Sequence, residues 1–235
     1  MEDKKLKKTP DEILELLVVI MLGVTAILTA WSSWVSALHG SNQAENYTTS
    51  NNLAAEGNSE YNSGVQLMMQ DMLLYNEINN LSIDLHFAQQ RGDSAAIENI
   101  QWKLDELMYN NMSEEMYNAY DWAALESETR GETVSPFDKE DFVDSYFAAA
   151  NELIYESDEL LAQGNQDNLN SDAYGLSTVL YSVALFLLGI TATFRNYKNK
   201  RAVFMVAMAA FLIATVYMLT VPMPTGFSFG NFLGA

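Results

Sequence analysis

The side chains that most often carry chemistry are scarce in this chain, which has two histidines and no cysteine. Histidine is a common general base and the commonest metal ligand in proteins. Neither His39 nor His86 belongs to a Glu-x-x-His or His-x-x-x-His pattern, which would place two zinc ligands on one helix face. Asp84 and His86 are two residues apart and therefore point to different faces of a helix. The sequence predicts no metal site, no cofactor and no catalytic triad, and so no enzyme.

Carboxylates are abundant, with 31 Asp plus Glu against 12 Lys plus Arg. Clusters of oxygen ligands can bind calcium, and residues 165–172 form one such cluster. Leu169 stands where an EF-hand loop needs a ligand, so that motif is absent. We therefore interpret the acidic residues as a solvated surface that attracts divalent cations diffusely and has no single cation site. The same negative charge argues against a nucleic-acid partner.

Three uncharged apolar runs indicate an integral membrane protein. Residues 16–38 carry no charge, and at 1.5 Å per residue a helix of this length spans about 30 Å, the thickness of the bilayer core. A Thr9-Pro10-x-Glu12 capping pattern starts this helix, and Pro222 ends the last apolar run. We predict transmembrane helices at residues 13–38, 173–194 and 202–221.

The basic residues predict the orientation of these spans. Lys4, Lys5, Lys7 and Lys8 precede the first span, and Arg195, Lys198, Lys200 and Arg201 lie between the second and third. Basic residues in short flanking segments stay on the cytoplasmic side. We therefore expect a multi-pass protein of the plasma membrane. Residues 1–12 and 195–201 would be cytoplasmic, and the acidic segment 39–172 and the apolar C-terminal tail 222–235 would be extracytoplasmic.

Helical periodicity continues through the segment 39–172, so the predicted fold is all-α, with a helical extracytoplasmic domain inserted between the first two spans. We expect the first helix to run on without interruption to Arg91, although a hairpin at Gly57 is an alternative. A second helix is predicted at residues 94–110, and a third begins at a Ser113 cap and gives way to a loop at 127–134. A fourth begins at Ser135-Pro136 and ends near Gly164, before residues 165–171 lead into the second span. With no cysteine, helix packing alone must hold this domain.

Small residues recur along the first helix with a spacing that alternates between four and three residues. Such a stripe lets helix backbones approach closely in a membrane. It either packs against the protein's own second and third spans or forms a helix-association seam between copies. We call the stripe the seam; its residues are Ala26, Ala30, Ser33, Ala37, Gly40 and Ala44. Trp31 and Trp34 are predicted to be interfacial anchors at the outer end of the span.

Two motifs at the ends of the inserted segment suggest a relationship. They are Leu28-Thr29-Ala30-Trp31-Ser32-Ser33-Trp34 and Ser171-Asp172-Ala173-Tyr174-Gly175-Leu176-Ser177-Thr178-Val179-Leu180. The first resembles the Ala-Trp-Ser-Ser-aromatic motif of an uncharacterised family of prokaryotic three-span membrane proteins, a domain of unknown function. The resemblance implies three spans and a helical insert, and it implies no chemistry.

These features predict a non-catalytic structural or interaction module that is homo-oligomeric and has the lipid bilayer and further copies of itself as partners. Transporters and proton relays usually carry charged residues within their spans, and this chain has none between the span ends. The alternative is a cation channel or pore whose acidic outer vestibule concentrates cations. A water-filled axis in an assembly would favour the channel, and a closed apolar axis would favour the structural role.

Overall fold

A computed structural model describes residues 9–227, which are mostly helical and include no strand. Three of the helices, α1, α5 and α6, are long and apolar enough to cross a membrane. The all-helical class and the three candidate spans are thus confirmed, while the N-terminal lysines and residues 228–235 lie outside the described residues. The elements are α1 (Pro10–Arg91), α2 (Ser94–Asn111), α3 (Glu114–Arg130), a 3-10 turn (Pro136–Asp138), α4 (Glu140–Ser145), α5 (Ala148–Thr191) and α6 (Tyr197–Thr220).

The long first helix begins with the predicted capping box. The backbone N–H of Thr9 donates to Glu12 Oε2 at 2.8 Å, and the N–H of Glu12 donates to Thr9 Oγ1 at 3.3 Å. The helix continues without a break through Gly57 to Arg91, so the expected continuous helix is confirmed and no hairpin occurs there. Gly92, with φ of +71°, ends it.

The chain divides into two compact units. Met1–Ser50 and Glu159–Ala235 form one, which we call the span unit, and Asn51–Asp158 forms the other, the insert unit. Residues 39–50 and 159–172, which the sequence placed in the insert, belong with the candidate spans. The division does not locate a membrane surface, so the predicted span boundaries stay predictions.

The core of the span unit is a small cluster of buried side chains. Val35, Tyr174, Tyr181, Ala214 and Met218 form a buried cluster contributed by all three candidate spans. The Tyr181 hydroxyl donates to Thr215 Oγ1 at 3.0 Å. Among the residues described, no buried side-chain nitrogen or oxygen lacks a hydrogen-bond partner. The buried hydroxyl groups therefore stabilise helix packing at little desolvation cost.

The connection between the second and third candidate spans, residues 192–196, is shorter than the predicted loop at 195–201. Helix α5 ends at Thr191, and α6 begins at Tyr197 after an Asn196 N-cap whose side chain accepts from the backbone N–H of Lys198. The basic residues predicted to fill a loop at 195–201 therefore extend into the first turn of α6.

The predicted helix end near Gly164 is wrong, because α5 passes through this glycine and continues into the second span. A Cβ atom added at Gly164 would lie 2.6 Å from two ring carbons of Tyr47 on α1. The Tyr47 hydroxyl also donates to Asn165 Oδ1 at 2.7 Å. Gly164 therefore permits close approach of two helices, a role of glycine that a local pattern cannot distinguish from helix termination.

The insert unit confirms the second and third predicted helices, with one correction. Ser113 caps α3 by accepting from the N–H of Met116. Helix α3 extends to Arg130, so the loop predicted at 127–134 begins only at Gly131, whose φ is +71°. Ser127 is helical and accepts a hydrogen bond from the N–H of Val134 at 2.9 Å, which ties the loop back onto the helix end.

The predicted fourth helix is divided. The Ser135 cap and Pro136 are placed as expected, but they open a 3-10 turn, and α4 ends at Ser145 before α5 begins at Ala148. The break lets neighbouring aromatic side chains serve different contacts. Phe142 is buried in a cluster with Met116, while Phe147 stacks on Tyr61 with the ring centroids 4.9 Å apart.

The core of the insert unit is small and aromatic. Met116, Ala119 and Phe142 are buried at its centre, and half-buried residues surround them. The Tyr146 hydroxyl donates to Asp71 Oδ2 at 2.6 Å. Burial raises the pKa of Tyr146, and its hydrogen bond to the Asp71 carboxylate raises it further. Helix α2, by contrast, has no buried residue.

Candidate functional site

The seam lies on a face of α1 that the rest of the span unit leaves uncovered. Of its six residues, Ala26, Ala30, Ser33, Ala37 and Ala44 are exposed and Gly40 is half-buried. The face of α1 that contacts α5 and α6 carries a different set, buried at Val18, Thr25, Ser32, Val35 and His39. Packing against the protein's own second and third spans therefore does not account for the seam in a single copy. Association between copies stays a prediction.

Trp31 and Trp34 are half-buried and contact other aromatic residues. Their ring centroids are 5.4 Å apart in an edge-to-face arrangement, and Phe227 lies 6.0 Å from Trp31 and 5.7 Å from Trp34. They also pack against the buried cluster around Tyr181. Their role as interfacial anchors stays a prediction, since part of each ring contacts protein.

Close to the two tryptophans in sequence, serine hydroxyls of α1 and α5 form hydrogen bonds between the two helices. Ser36 Oγ donates to the carbonyl of Ser171 at 2.8 Å, and Ser171 Oγ donates to the carbonyl of Ser36 at 2.9 Å. Ser32 Oγ donates to the carbonyl of Tyr174 at 3.1 Å. These bonds fix the register of two antiparallel helices and align the side chains that follow them.

The next pair in this register is a buried ionisable pair that sequence reasoning missed. His39 Nδ1 lies 2.7 Å from Asp167 Oδ1, and the two residues are 1% and 8% exposed. His39 Nε2 lies 3.1 Å from the carbonyl oxygen of Pro222, just after α6. One imidazole thus connects α1, α5 and the segment that leaves the third candidate span.

Further contacts hold this cluster in place. Asn46 Nδ2 donates to the other carboxylate oxygen of Asp167 at 3.3 Å. The ring of Tyr174 stacks on the His39 ring, with centroids 5.8 Å apart, and its hydroxyl donates to the carbonyl of Val221 at 3.3 Å. A cavity of about 240 Å³ opens beside the pair and is lined mainly by polar side chains of α5 and by residues 222–225.

A second ionic cluster lies where α1 and α6 begin. Lys200 Nζ donates to Asp11 Oδ1 at 2.9 Å and to Glu15 Oε1 at 2.8 Å. The Lys200 side chain is 5% exposed, whereas those of Asp11 and Glu15 are 47% and 58% exposed. The hydrogen bonds to Glu15 and then Asp11 raise the pKa of Lys200. The N-terminal ends of α1 and α6 are therefore at the same end of the span unit.

Comparison with known proteins yields no relative for this arrangement. No protein-family model, curated protein or solved structure matches the chain. The resemblance of the two motifs to a three-span membrane family therefore stays a prediction.

Within residues 9–227, no group of three or more histidine, cysteine, aspartate or glutamate side chains could hold a metal ion. The acidic segment 165–172 contributes Asp167 to the pair with His39 and Asn170 to a hydrogen bond with Gln166 at 3.1 Å. Both Asp167 and Asn170 are buried. At least this part of the acidic surface is therefore interior, contrary to the prediction that all of it is solvated.

Proposed function

We propose that this chain is a non-catalytic, multi-pass membrane protein that associates with copies of itself and acts as a structural or interaction module. The observation that carries the proposal is the exposure of the seam. Ala26, Ala30, Ser33 and Ala37 are exposed in their own span unit, and their spacing places them along one face of α1. In lipid, burial of apolar area gives little drive for association, so helices pair where small side chains let their backbones approach.

The insert unit supports an interaction role independently. Helix α2 has no buried residue, and it exposes 62% of Trp102 and 87% of Tyr109. Short helices gain most of their stability from tertiary packing of one face, and tryptophan and tyrosine are enriched where proteins bind one another. The occupant that we propose is a second copy of the chain, because the seam on α1 requires the same partner.

We further propose that the protein lies in the plasma membrane, with residues 1–12 and 195–201 in the cytoplasm and residues 39–172 and 222–235 outside. The ion pairs of Lys200 with Asp11 and Glu15 support this arrangement. They bring the start of α1 and the basic connection before α6 to one end, as two cytoplasmic basic clusters require. The contact of His39 with Pro222 brings the segments predicted to be outside to the other end.

Single-cysteine labelling tests this topology, since the chain has no cysteine of its own. Asn110 and Lys198 are both exposed, so Asn110→Cys and Lys198→Cys should differ only in the side of the membrane they occupy. We expect a membrane-impermeant maleimide to label position 110 on intact cells and to label position 198 only after permeabilisation. Labelling of position 198 alone on intact cells would reverse the proposed orientation.

The seam is tested by adding bulk where two backbones should nearly touch. Overpacking a close contact costs about 1–3 kcal/mol, so Ala30→Leu and Ala37→Leu should each weaken association by about fivefold to 150-fold. Light scattering of the purified protein in mild detergent should show an oligomer for the wild type and a shift to monomer for the variants.

Ala209→Leu is the matched control, because it makes the same change at an exposed position of α6. It should leave the mass unchanged. A wild-type monomer, or an intact oligomer in the Ala30→Leu/Ala37→Leu double variant, would refute self-association through the seam. Aggregation of the α1 variants but not of Ala209→Leu would point instead to a role of these positions in folding.

A further inference from the structure

Both ring nitrogens of His39 face hydrogen-bond acceptors. Nδ1 lies 2.7 Å from the Asp167 carboxylate, and Nε2 lies 3.1 Å from the carbonyl oxygen of Pro222. A neutral imidazole has one N–H and can donate only one hydrogen bond, whereas the imidazolium donates two. The carbonyl of Pro222 has no proton to offer, so Nε2 must be the donor in that contact.

The Asp167 carboxyl group faces two partners. Asn46 Nδ2 donates to Asp167 Oδ2 at 3.3 Å, and Oδ1 faces His39 Nδ1 at 2.7 Å. An imidazolium at His39 beside a carboxylate at Asp167 satisfies every contact. The burial of both residues makes an unmatched lone pair here costly.

We infer that His39 and Asp167 form a proton-binding site that latches the segment after α6 to α1 and α5. With the proton bound, His39 bridges Asp167 and the Pro222 carbonyl. When one proton leaves the imidazolium, one ring nitrogen becomes an acceptor that faces another acceptor. The charge-assisted bond to Asp167 is the stronger of the two, so the bond to Pro222 is the one that is lost, and the segment 221–227 becomes mobile.

Few other charged side chains lie near the pair of His39 and Asp167. On α1, no acidic residue occurs between Glu15 and Glu45, and residues 202–227 of α6 and the following segment carry no charge. Helix α5 contributes Asp167 and the stacked ring of Tyr174, while its next acid, Asp172, is exposed. Proton binding therefore stabilises the latched form, and that stabilisation is lost as pH rises and the proton leaves.

The segment has other contacts, so the latch changes mobility and does not detach the chain. Asn42 Nδ2 donates weakly to Thr225, at 3.3 Å from Oγ1. Phe227 packs against the two tryptophans. The Tyr174 hydroxyl also donates to the carbonyl of Val221 at 3.3 Å and to Met223 Sδ at 3.4 Å. Loss of the bond between His39 and Pro222 leaves all of these contacts in place.

The proton can be observed directly, because the chain has only two histidines. In a His86→Gln variant, every histidine nitrogen signal belongs to His39. In ¹⁵N-histidine-labelled protein, we expect both ring nitrogens to carry protons at the acid end of a pH series and only one of them to carry a proton at the alkaline end. A single protonated nitrogen throughout, or two throughout, would overturn the latch.

The release is measured by a spin label at Thr225→Cys in the same background. Label mobility should rise over the pH range in which the nitrogen signals change. His39→Gln, whose amide cannot change charge, should abolish that rise, and Asp167→Asn should move it to lower pH because the stabilising carboxylate is gone. A rise that persists in His39→Gln, or mobility that does not follow the nitrogen signals, would show that the segment responds to something else.

Discussion

Gly64→Ala is expected to destabilise the insert unit, although alanine is the better helix former. A Cβ atom at position 64 would overlap the backbone oxygen of Tyr146. A backbone atom at a helix break cannot swing aside as a flexible side chain can, so α1 and the α4–α5 turn must separate. Overpacking of this kind costs about 1–3 kcal/mol, and higher helix propensity offsets only about 1 kcal/mol of it.

The change should be local and measurable. Thermal unfolding in detergent should show a lower midpoint, and hydrogen exchange should accelerate around residues 64 and 146 before it does so in the span unit. Separation of these segments should also weaken the hydrogen bond between Tyr146 and Asp71, because Tyr146 lies in the turn that would move.

Gly189→Ala provides the matched control for this prediction. It makes the same change in the last turn of α5, where an added Cβ meets nothing within 4 Å. There, only the propensity gain applies, so stability should stay the same or increase by up to about 1 kcal/mol. Equal effects at the two positions would show that the contact with Tyr146 does not limit stability.

The starts of α1, α3 and the 3-10 turn were predictable because their signals are local. The Thr9, Ser113 and Ser135 side chains each accept from a backbone N–H within three residues, so the sequence alone contains both partners of each bond. The apolar runs were predictable for a similar reason, since one helix crossing a bilayer needs only length and composition. Neither kind of signal depends on contacts with distant parts of the chain.

Gly164 was misread because its partner is remote in the chain. Gly164 meets Tyr47, so it marks a close approach inside a continuous helix, as Gly57 does where it meets Ile154. Sequence pattern alone treats a glycine as a break or a cap. The actual interruption, between α4 and α5, contains no glycine or proline.

The pair of His39 and Asp167 was also invisible as a motif, since 128 residues separate its members. One signal did exist. The first two candidate spans are consecutive and antiparallel, so residues just after one lie level with residues just before the next. His39 and the acidic segment 165–172 occupy these positions. The third partner is the carbonyl group of Pro222. It belongs to the backbone, so the residue type at this position does not predict the contact.

Removing the acidic partners of Lys200 is expected to cause the largest loss of stability in the span unit. The Lys200 side chain is 5% exposed and donates to both Asp11 and Glu15. In an Asp11→Asn/Glu15→Gln variant, the ammonium would keep its charge in a site sheltered from water and without a counter-ion. Breaking a buried pair from one side is strongly destabilising, because it leaves an uncompensated charge.

Substitution of the lysine itself should be milder. In Lys200→Met, the two carboxylates are about half exposed and can be hydrated where they stand. The triple variant Asp11→Asn/Glu15→Gln/Lys200→Met should therefore be more stable than the Asp11→Asn/Glu15→Gln variant, despite carrying one more substitution. Lys198→Met, the same change at an exposed position two residues earlier, should have little effect. The comparison uses thermal midpoints measured in one detergent at one pH. A triple variant with a midpoint no higher than that of the double variant would disprove destabilisation by an uncompensated Lys200 charge.

The pH dependence separates this cluster from the latch at the other end of the span unit. Hydrogen bonds to Glu15 and Asp11 raise the pKa of Lys200 above its ordinary value of 10.5. A raised lysine pKa contributes stability that is fully present below the unfolded value and is lost only as pH rises through the folded one. The difference in thermal midpoint between wild type and the Asp11→Asn/Glu15→Gln variant should therefore stay constant from about pH 6 to 9, well below the ordinary lysine value. The mobility of the segment 221–227, under the proposed latch, should instead follow the His39 nitrogen signals. A midpoint difference that vanished by pH 9 would mean that Lys200 had already lost its proton and that the two carboxylates do not hold it.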